Sequence, residues 1–197
     1  EDRDAKRRPT AIYTEKFVAS QAAQKLARVD ALMQQFPTIQ AQNATNKNSS
    51  DPKTRDAADC LGLIMAMGIR PGSETDTGAK VKAYGATTLE GRHVAEEGGE
   101  VFLRFVGKKG VSLNLKVPDG ATAEMLLRRK NEAGDGGQLF GNIDEGRLLA
   151  YTHTMGDGSF KTKDFRTRLG TATADAMVRS RPAPKTEAEY KKAVMEV

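Results

Sequence analysis

VFLRFVGKKGVSLNLKV, residues 101–117, decides the class of fold. Val101, Leu103 and Phe105 alternate with Phe102, Arg104 and Val106, and Val111, Leu113, Leu115 and Val117 alternate with Ser112, Asn114 and Lys116. Alternation with a period of two on both sides of Gly107-Lys108-Lys109-Gly110 reads as an antiparallel hairpin, with Lys108 and Lys109 at a projecting tip. Two strands alone are marginal in water, so a short strand over residues 86–89 is expected to complete a three-stranded sheet. By local rules the two lysines belong to an ordinary polar turn.

Outside the hairpin the apolar spacing is helical. From about Thr14, the positions Val18, Ala22, Leu26, Val29, Met33 and Phe36 recur every three or four residues, the spacing of one helix face. Pro37 is expected to interrupt that helix. Residues 40–50 (QAQNATNKNSS) carry no periodicity and read as a loop or a frayed helical end. Asp51 and Pro52 have the cap and first-turn chemistry of a second helix. Its stretch 57–67 is nearly continuously apolar, hence buried on most sides, and Gly68 stops it. Arg70 therefore emerges, rigidly placed, from the end of the most buried helix. The simplest local role for it is to satisfy that helix's last carbonyls. Further helices are expected over residues 121–132, 144 to about 155 and about 162–179, separated by glycine-rich breaks, with a last one from near Thr186. The fold class is mainly α with a small antiparallel β-sheet.

Composition narrows the function without deciding it. The chain has 197 residues, 38% of them hydrophobic, enough to bury one domain's core. No run of about 18 apolar residues occurs, and the opening EDRDAKRR is charged, so neither a membrane span nor a secretory signal is expected, and the cytoplasm is the expected compartment. A net charge of +5 alongside 26 acidic residues admits nucleic acid as a partner. The single cysteine, Cys60, lies in an apolar segment and reads as core packing. His93 and His153 have no metal-ligand spacing, and nothing in the sequence asks for a cofactor.

Three cationic positions fall on distinct, positionable elements: Arg70 after a buried helix, Lys108 on a hairpin tip, and Arg166 within Lys163-Asp164-Phe165-Arg166-Thr167. Phosphoryl transfer uses this equipment. Two guanidinium groups can hold the non-bridging oxygens of a phosphodiester and stabilise a pentacoordinate transition state, while a lysine can protonate the leaving alkoxide.

The segments MGIRPGS (67–73), GATTLEGRHV (85–94), VFLRFVGKKGV (101–111) and KTKDFRTRLGTATA (161–174) resemble, in order and spacing, successive signatures of type IB DNA topoisomerases of the bacterial and poxvirus kind. The resemblance covers residues 10–197 or thereabouts and implies the catalytic core that these enzymes share with tyrosine recombinases. Residues 1–10, with Arg3-Asp4-Ala5-Lys6, resemble the family's junction with a preceding small domain, so the chain is expected to be a linker (1–10) followed by a core (11–197) that stops before the nucleophile segment. The resemblance implies Arg70 and Arg166 as contacts to the scissile phosphate and Lys108 as general acid. Lys109, Lys163, Thr88 and His93 are implied DNA-facing residues; Lys163 stands where recombinases usually keep a histidine. The family's supporting histidine or asparagine and its attacking tyrosine are not matched. Tyr13, Tyr84, Tyr151 and Tyr190 lie elsewhere in the pattern, and Tyr190 shares a helix face with Val194 and Val197 that reads as packing. The implied activity is ATP- and metal-independent relaxation of supercoiled duplex DNA through a 3′-phosphotyrosyl intermediate, by a protein acting as a monomer on DNA. A tyrosine recombinase and a non-cleaving DNA-binding protein with a similar core stand as alternatives.

Overall fold

The longest element outlasts the proline expected to end it. In the computed structural model, which describes residues 14–73 and 81–180 together with 186, 187 and 189, helix α1 runs Glu15–Asn46 with Pro37 inside it. Proline in a helix interior removes one hydrogen bond and costs about 3 kcal/mol. Here Pro37 faces solvent, where water can satisfy the freed carbonyl, while Phe36 and Ile39 on either side are buried. The buried stripe is Val29, Leu32, Phe36, Ile39 and Asn43, spaced for one helix face. Leu26, assigned to that stripe by periodicity, is instead 61% exposed. The final turns, over the polar stretch read as a loop or frayed end, are held by side chains. Asn43 donates to the Ala58 carbonyl at 2.9 Å and accepts from the Tyr151 hydroxyl at 2.9 Å, and Asn46 donates to that hydroxyl at 3.0 Å.

Helix α2 (Pro52–Met67) begins and ends where its sequence says. The Asp51 carboxylate accepts from the Lys53 and Thr54 amides, and Gly68 closes the helix in the left-handed conformation at φ 63°. Cys60, Leu61, Leu63 and Ile64 are fully buried. The antiparallel sheet has three strands in the order β1 (Val94–Glu97), β2 (Glu100–Val106) and β3 (Ser112–Lys116). Leu103 stands opposite Leu115 and Phe105 opposite Leu113, as the alternation requires. The third strand is not at residues 86–89, where Ala86–Thr88 form a 3-10 turn with all three side chains buried. It is the polar VAEE of β1, joined to β2 by Gly98 and Gly99 at φ 60° and 79°, a glycine pair suited to a tight hairpin.

Helices α3 (Gly120–Ala133), α4 (Glu145–Thr152) and α5 (Thr162–Arg179) complete the core. Asp119 and Asp144 cap α3 and α4. Phe165 and Phe160, both fully buried, meet edge to face at 6.5 Å and seat the start of α5. The last helix expected from Thr186 falls largely outside the described residues, and Tyr13, Tyr190 and residues 1–10 fall outside them altogether. Among the described residues no helix is long and apolar enough to cross a membrane.

His93 is built into this core. Its Nδ1 accepts the Glu90 amide at 2.9 Å, and its ring packs edge to face on Tyr84 at 4.3 Å. Burial, with Arg92 and Lys82, holds its pKa below the ordinary 6.5 despite Glu90. Because the unfolded chain takes the proton more readily, the stability that His93 contributes is complete above pH 6.5 and declines as pH falls below it. The melting temperature of the native protein is therefore expected to drop between pH 7.5 and 5 more steeply than that of His93→Gln; equal slopes would contradict this.

Candidate active site

Arg70 owes its position to a backbone clamp. Beyond the end of α2, the Arg70 carbonyl accepts the Ala86 amide at 2.8 Å and the Pro71 carbonyl accepts the Thr87 amide at 2.7 Å. The Thr87 hydroxyl also donates to the Pro71 carbonyl, at 3.1 Å. The Thr88 hydroxyl accepts the Gly85 amide at 3.0 Å and so ties its own turn shut. The two segments approach so closely at Gly85 that a Cβ there would stand 2.5 Å from Gly72 Cα and 2.7 Å from the Arg70 carbonyl oxygen. Both neighbours are backbone and cannot swing aside. Gly85→Ala is expected to displace the Arg70 segment, lowering stability by about 1–3 kcal/mol and weakening anion binding at Arg70. Thermal melts and phosphate-ester binding measured together check it, and an unchanged protein would refute the clamp.

Arg166 sits on α5, with its Nε donating to the Gly68 carbonyl at 2.6 Å. The role that local rules offered to Arg70, satisfying the C-terminal carbonyls of α2, is thus taken by Arg166. The bond fixes one edge of the guanidinium and leaves the Nη groups available. Burial, and after it the nearby Arg70 cation, lowers the proton affinity of Arg166. The proximity of two like charges that this reports is the arrangement a shared anion would relieve.

Lys108 projects from a 3-10 turn, Lys108–Gly110, closed by the Gly107 amide donating to the Val111 carbonyl at 2.7 Å. Within it Lys109 adopts φ 65°, and among the described residues no other non-glycine residue has a positive φ. A left-handed conformation costs an L-residue about 1–2 kcal/mol, and such outliers cluster at active sites and ligand clamps.

These elements converge on one cleft of about 2280 Å³, larger than the roughly 300–1,000 Å³ of small-molecule pockets. Its lining includes the cations Lys25, Arg28, Arg70, Lys82, Lys108, Lys109, Lys163 and Arg166, and Glu145 as its carboxylate. Among the described residues, no carboxylate pairs with Arg70, Lys108, Lys163 or Arg166. A low-dielectric trough lined with uncompensated positive charge attracts a polyanion. Thr88 lines the cleft but is 3% exposed, with its hydroxyl engaged in its turn. His93 lies outside the cleft's lining, 7% exposed beneath a shallow depression beside Arg104. Lys25 and Arg28 on α1, Lys82, and Thr87 of the clamp also belong to the site, although no motif in the sequence marks them. A signal existed for the first two, basic residues three apart on a helix whose apolar stripe runs elsewhere.

The described tyrosines are occupied. Tyr84 lines the cleft, but its hydroxyl takes a bond from Arg92 Nη2 at 3.0 Å. The Tyr151 hydroxyl is bound by Asn43 and Asn46, and burial raises its pKa, the opposite of what activates a nucleophile.

A family model described as eukaryotic DNA topoisomerase I, catalytic core, matches residues 14–197. No curated protein matches the chain.

Proposed function

The chain belongs to the family of DNA topoisomerase I catalytic cores, and from that premise we propose that its cleft grips duplex DNA for transient cleavage of one strand. The observation that carries the reading is the convergence of Arg70, Lys108 and Arg166 on a single cation-lined cleft. Arg70 and Arg166 bind the non-bridging oxygens of the scissile phosphate and stabilise the charge that builds on them. A tyrosine from outside the described residues attacks phosphorus. Its Tyr O–P bond forms on the 3′ side as the P–O5′ bond breaks, and Lys108 delivers the proton that the departing 5′ oxygen needs. The cut strand swivels, and the 5′ hydroxyl then attacks the phosphotyrosine and releases the enzyme. Ester exchanged for ester conserves the bond energy, so ATP is not required. Two guanidinium groups and an ammonium supply the charge stabilisation that a metal would otherwise provide.

The test is relaxation of negatively and positively supercoiled plasmid by the full-length protein in EDTA without ATP. The proposal expects both to relax. A folded, full-length protein that binds plasmid and leaves its linking number unchanged would instead be a non-cleaving DNA-binding protein.

A further inference from the structure

We propose that Arg28 is a further phosphate-contacting residue of the cleft and that the buried carboxylate of Asp164 is its positioning residue; the inference rests on the reading of the cleft as a DNA site. Arg28 stands where α1 leaves the core. Val29 beside it is 2% exposed, whereas the described side chains from Phe17 to Ala27 are all exposed. Gln21, Lys25 and Arg28, spaced four and three apart, occupy one face of this projecting helix and line the cleft. They form a wall supplied by α1, separate from the Arg70 clamp and the Lys108 tip.

Arg28 is the fixed member of that wall. Its Nε donates to Asp164 Oδ2 at 3.3 Å, and among the described residues its Nη1 and Nη2 make no hydrogen bond. A guanidinium held by Nε presents its outer nitrogens, the ones suited to phosphate oxygens. Asp164 is fully buried. Oδ2 also accepts the Lys161 amide at 3.0 Å, while Oδ1 has no partner among the described residues. Asp164 is the third residue of α5 and reaches back to the amide of the capping residue Lys161, a bond that needs one acceptor and that a neutral glutamine could supply without burying a charge. The carboxylate placed there, with one oxygen left unsatisfied among the described residues, is paired with Arg28. Costs of this kind persist where geometry is needed. Asp164 also sits between Lys163 and Arg166 in sequence, so one residue sets the start of α5 and the direction of a cation on α1, 136 positions away.

The test titrates a short fluorescent duplex with the full chain across about 50–200 mM salt, comparing the native protein, Arg28→Gln, Arg28→Lys, Asp164→Asn and the double variant Arg28→Gln/Asp164→Asn. Thermal melts accompany each. Losing one phosphate contact lowers the slope of log affinity against log salt by about 1. Arg28→Gln is expected to show that loss and Arg28→Lys to recover the slope with weaker binding. Asp164→Asn is expected to weaken binding in the native background and to add nothing once Arg28 is gone. A merely structural Asp164 would weaken binding equally in both backgrounds, which overturns its positioning role. Should Asp164→Asn fail to fold, the two Arg28 variants still decide the contact. Native binding that depends on salt, with Arg28→Gln unchanged in slope and affinity, overturns the inference and leaves the cleft reading standing. A native protein with no salt-dependent duplex binding overturns both.

Discussion

Lys108→Ala is expected to slow strand cleavage by about 10²–10⁴-fold, the usual contribution of a positioned general acid, with little change in duplex affinity at fixed salt. An alkoxide leaving from phosphorus needs its proton in the transition state. The Lys108 side chain projects into the cleft from a tip that folds back against its own strand through the Gly107 and Val111 pair. Side-chain truncation there removes no buried contact, since Lys108 is exposed, so the fold should melt as the native protein does. The discriminating measurement replaces the bridging 5′ oxygen of the cleaved bond by sulfur. A thiolate leaves without protonation, and the variant should then cleave at close to the native rate. An equal deficit on both substrates would mean that Lys108 positions DNA rather than donating a proton.

Arg129→Ala is expected to give the largest loss of stability, about 3–5 kcal/mol, because it leaves buried Asp56 without a counter-ion and buried Asp59 with only the half-exposed Arg128. Arg129 is 7% exposed, and Asp56 and Asp59 are 3% and 2% exposed. Its Nη2 and Nε donate to Asp59 Oδ2 at 2.7 and 3.1 Å, its Nη1 pairs with Asp56, and its guanidinium lies 5.4 Å from the centre of the Phe140 ring. Asn142 closes the network, donating its amide and side chain to Asp56 Oδ2 at 3.0 Å. Three parts of the chain, α2, α3 and residues 139–142, are thereby fixed together, and α2 is the helix from whose end Arg70 projects. Against a total of about 5–15 kcal/mol for an ordinary domain, such a loss is severe. Urea unfolding measures it, and a change below about 1 kcal/mol would show that the charges are hydrated rather than locked. Arg128→Ala serves as the control. Arg128 also reaches Asp59, at 3.0 Å, but is half exposed, so its removal should cost far less.

What the sequence revealed and what it hid follow from the range of the interactions. Helix α2 was legible because Asp51, Pro52 and Gly68 act within a few residues of themselves, and the hairpin was legible because alternation is local. Strand β1 was not, because VAEE is four residues long with a single buried apolar side chain, Val94, and its ion pair from Glu97 to Arg104 forms only once the strands are paired; the Gly98-Gly99 turn was its one readable sign. The passage of α1 through Pro37 depends on tertiary burial of its flanks, which no helix propensity expresses. Arg129 with Asp56 and Asp59, and Arg28 with Asp164, join positions about 70 and 136 apart, and local patterns do not encode such pairs. The candidate site was legible only in part. Taken alone, Arg70 was a capping cation and Lys108 a turn lysine, and likeness to a family set them apart. Their convergence arises from three elements, the end of α2, the tip between β2 and β3, and α5, meeting at one cleft.

The most direct test quenches the native full-length protein with detergent after mixing it with a duplex carrying a nick near one labelled end, in EDTA and without ATP. Loss of the short fragment traps any covalent intermediate. The account predicts that the strand ending in the 3′ phosphate stays attached to the protein through tyrosine, and that Lys108→Ala reaches the same adduct far more slowly. Duplex bound tightly and recovered whole, with no strand attached to protein, would contradict cleavage by this cleft.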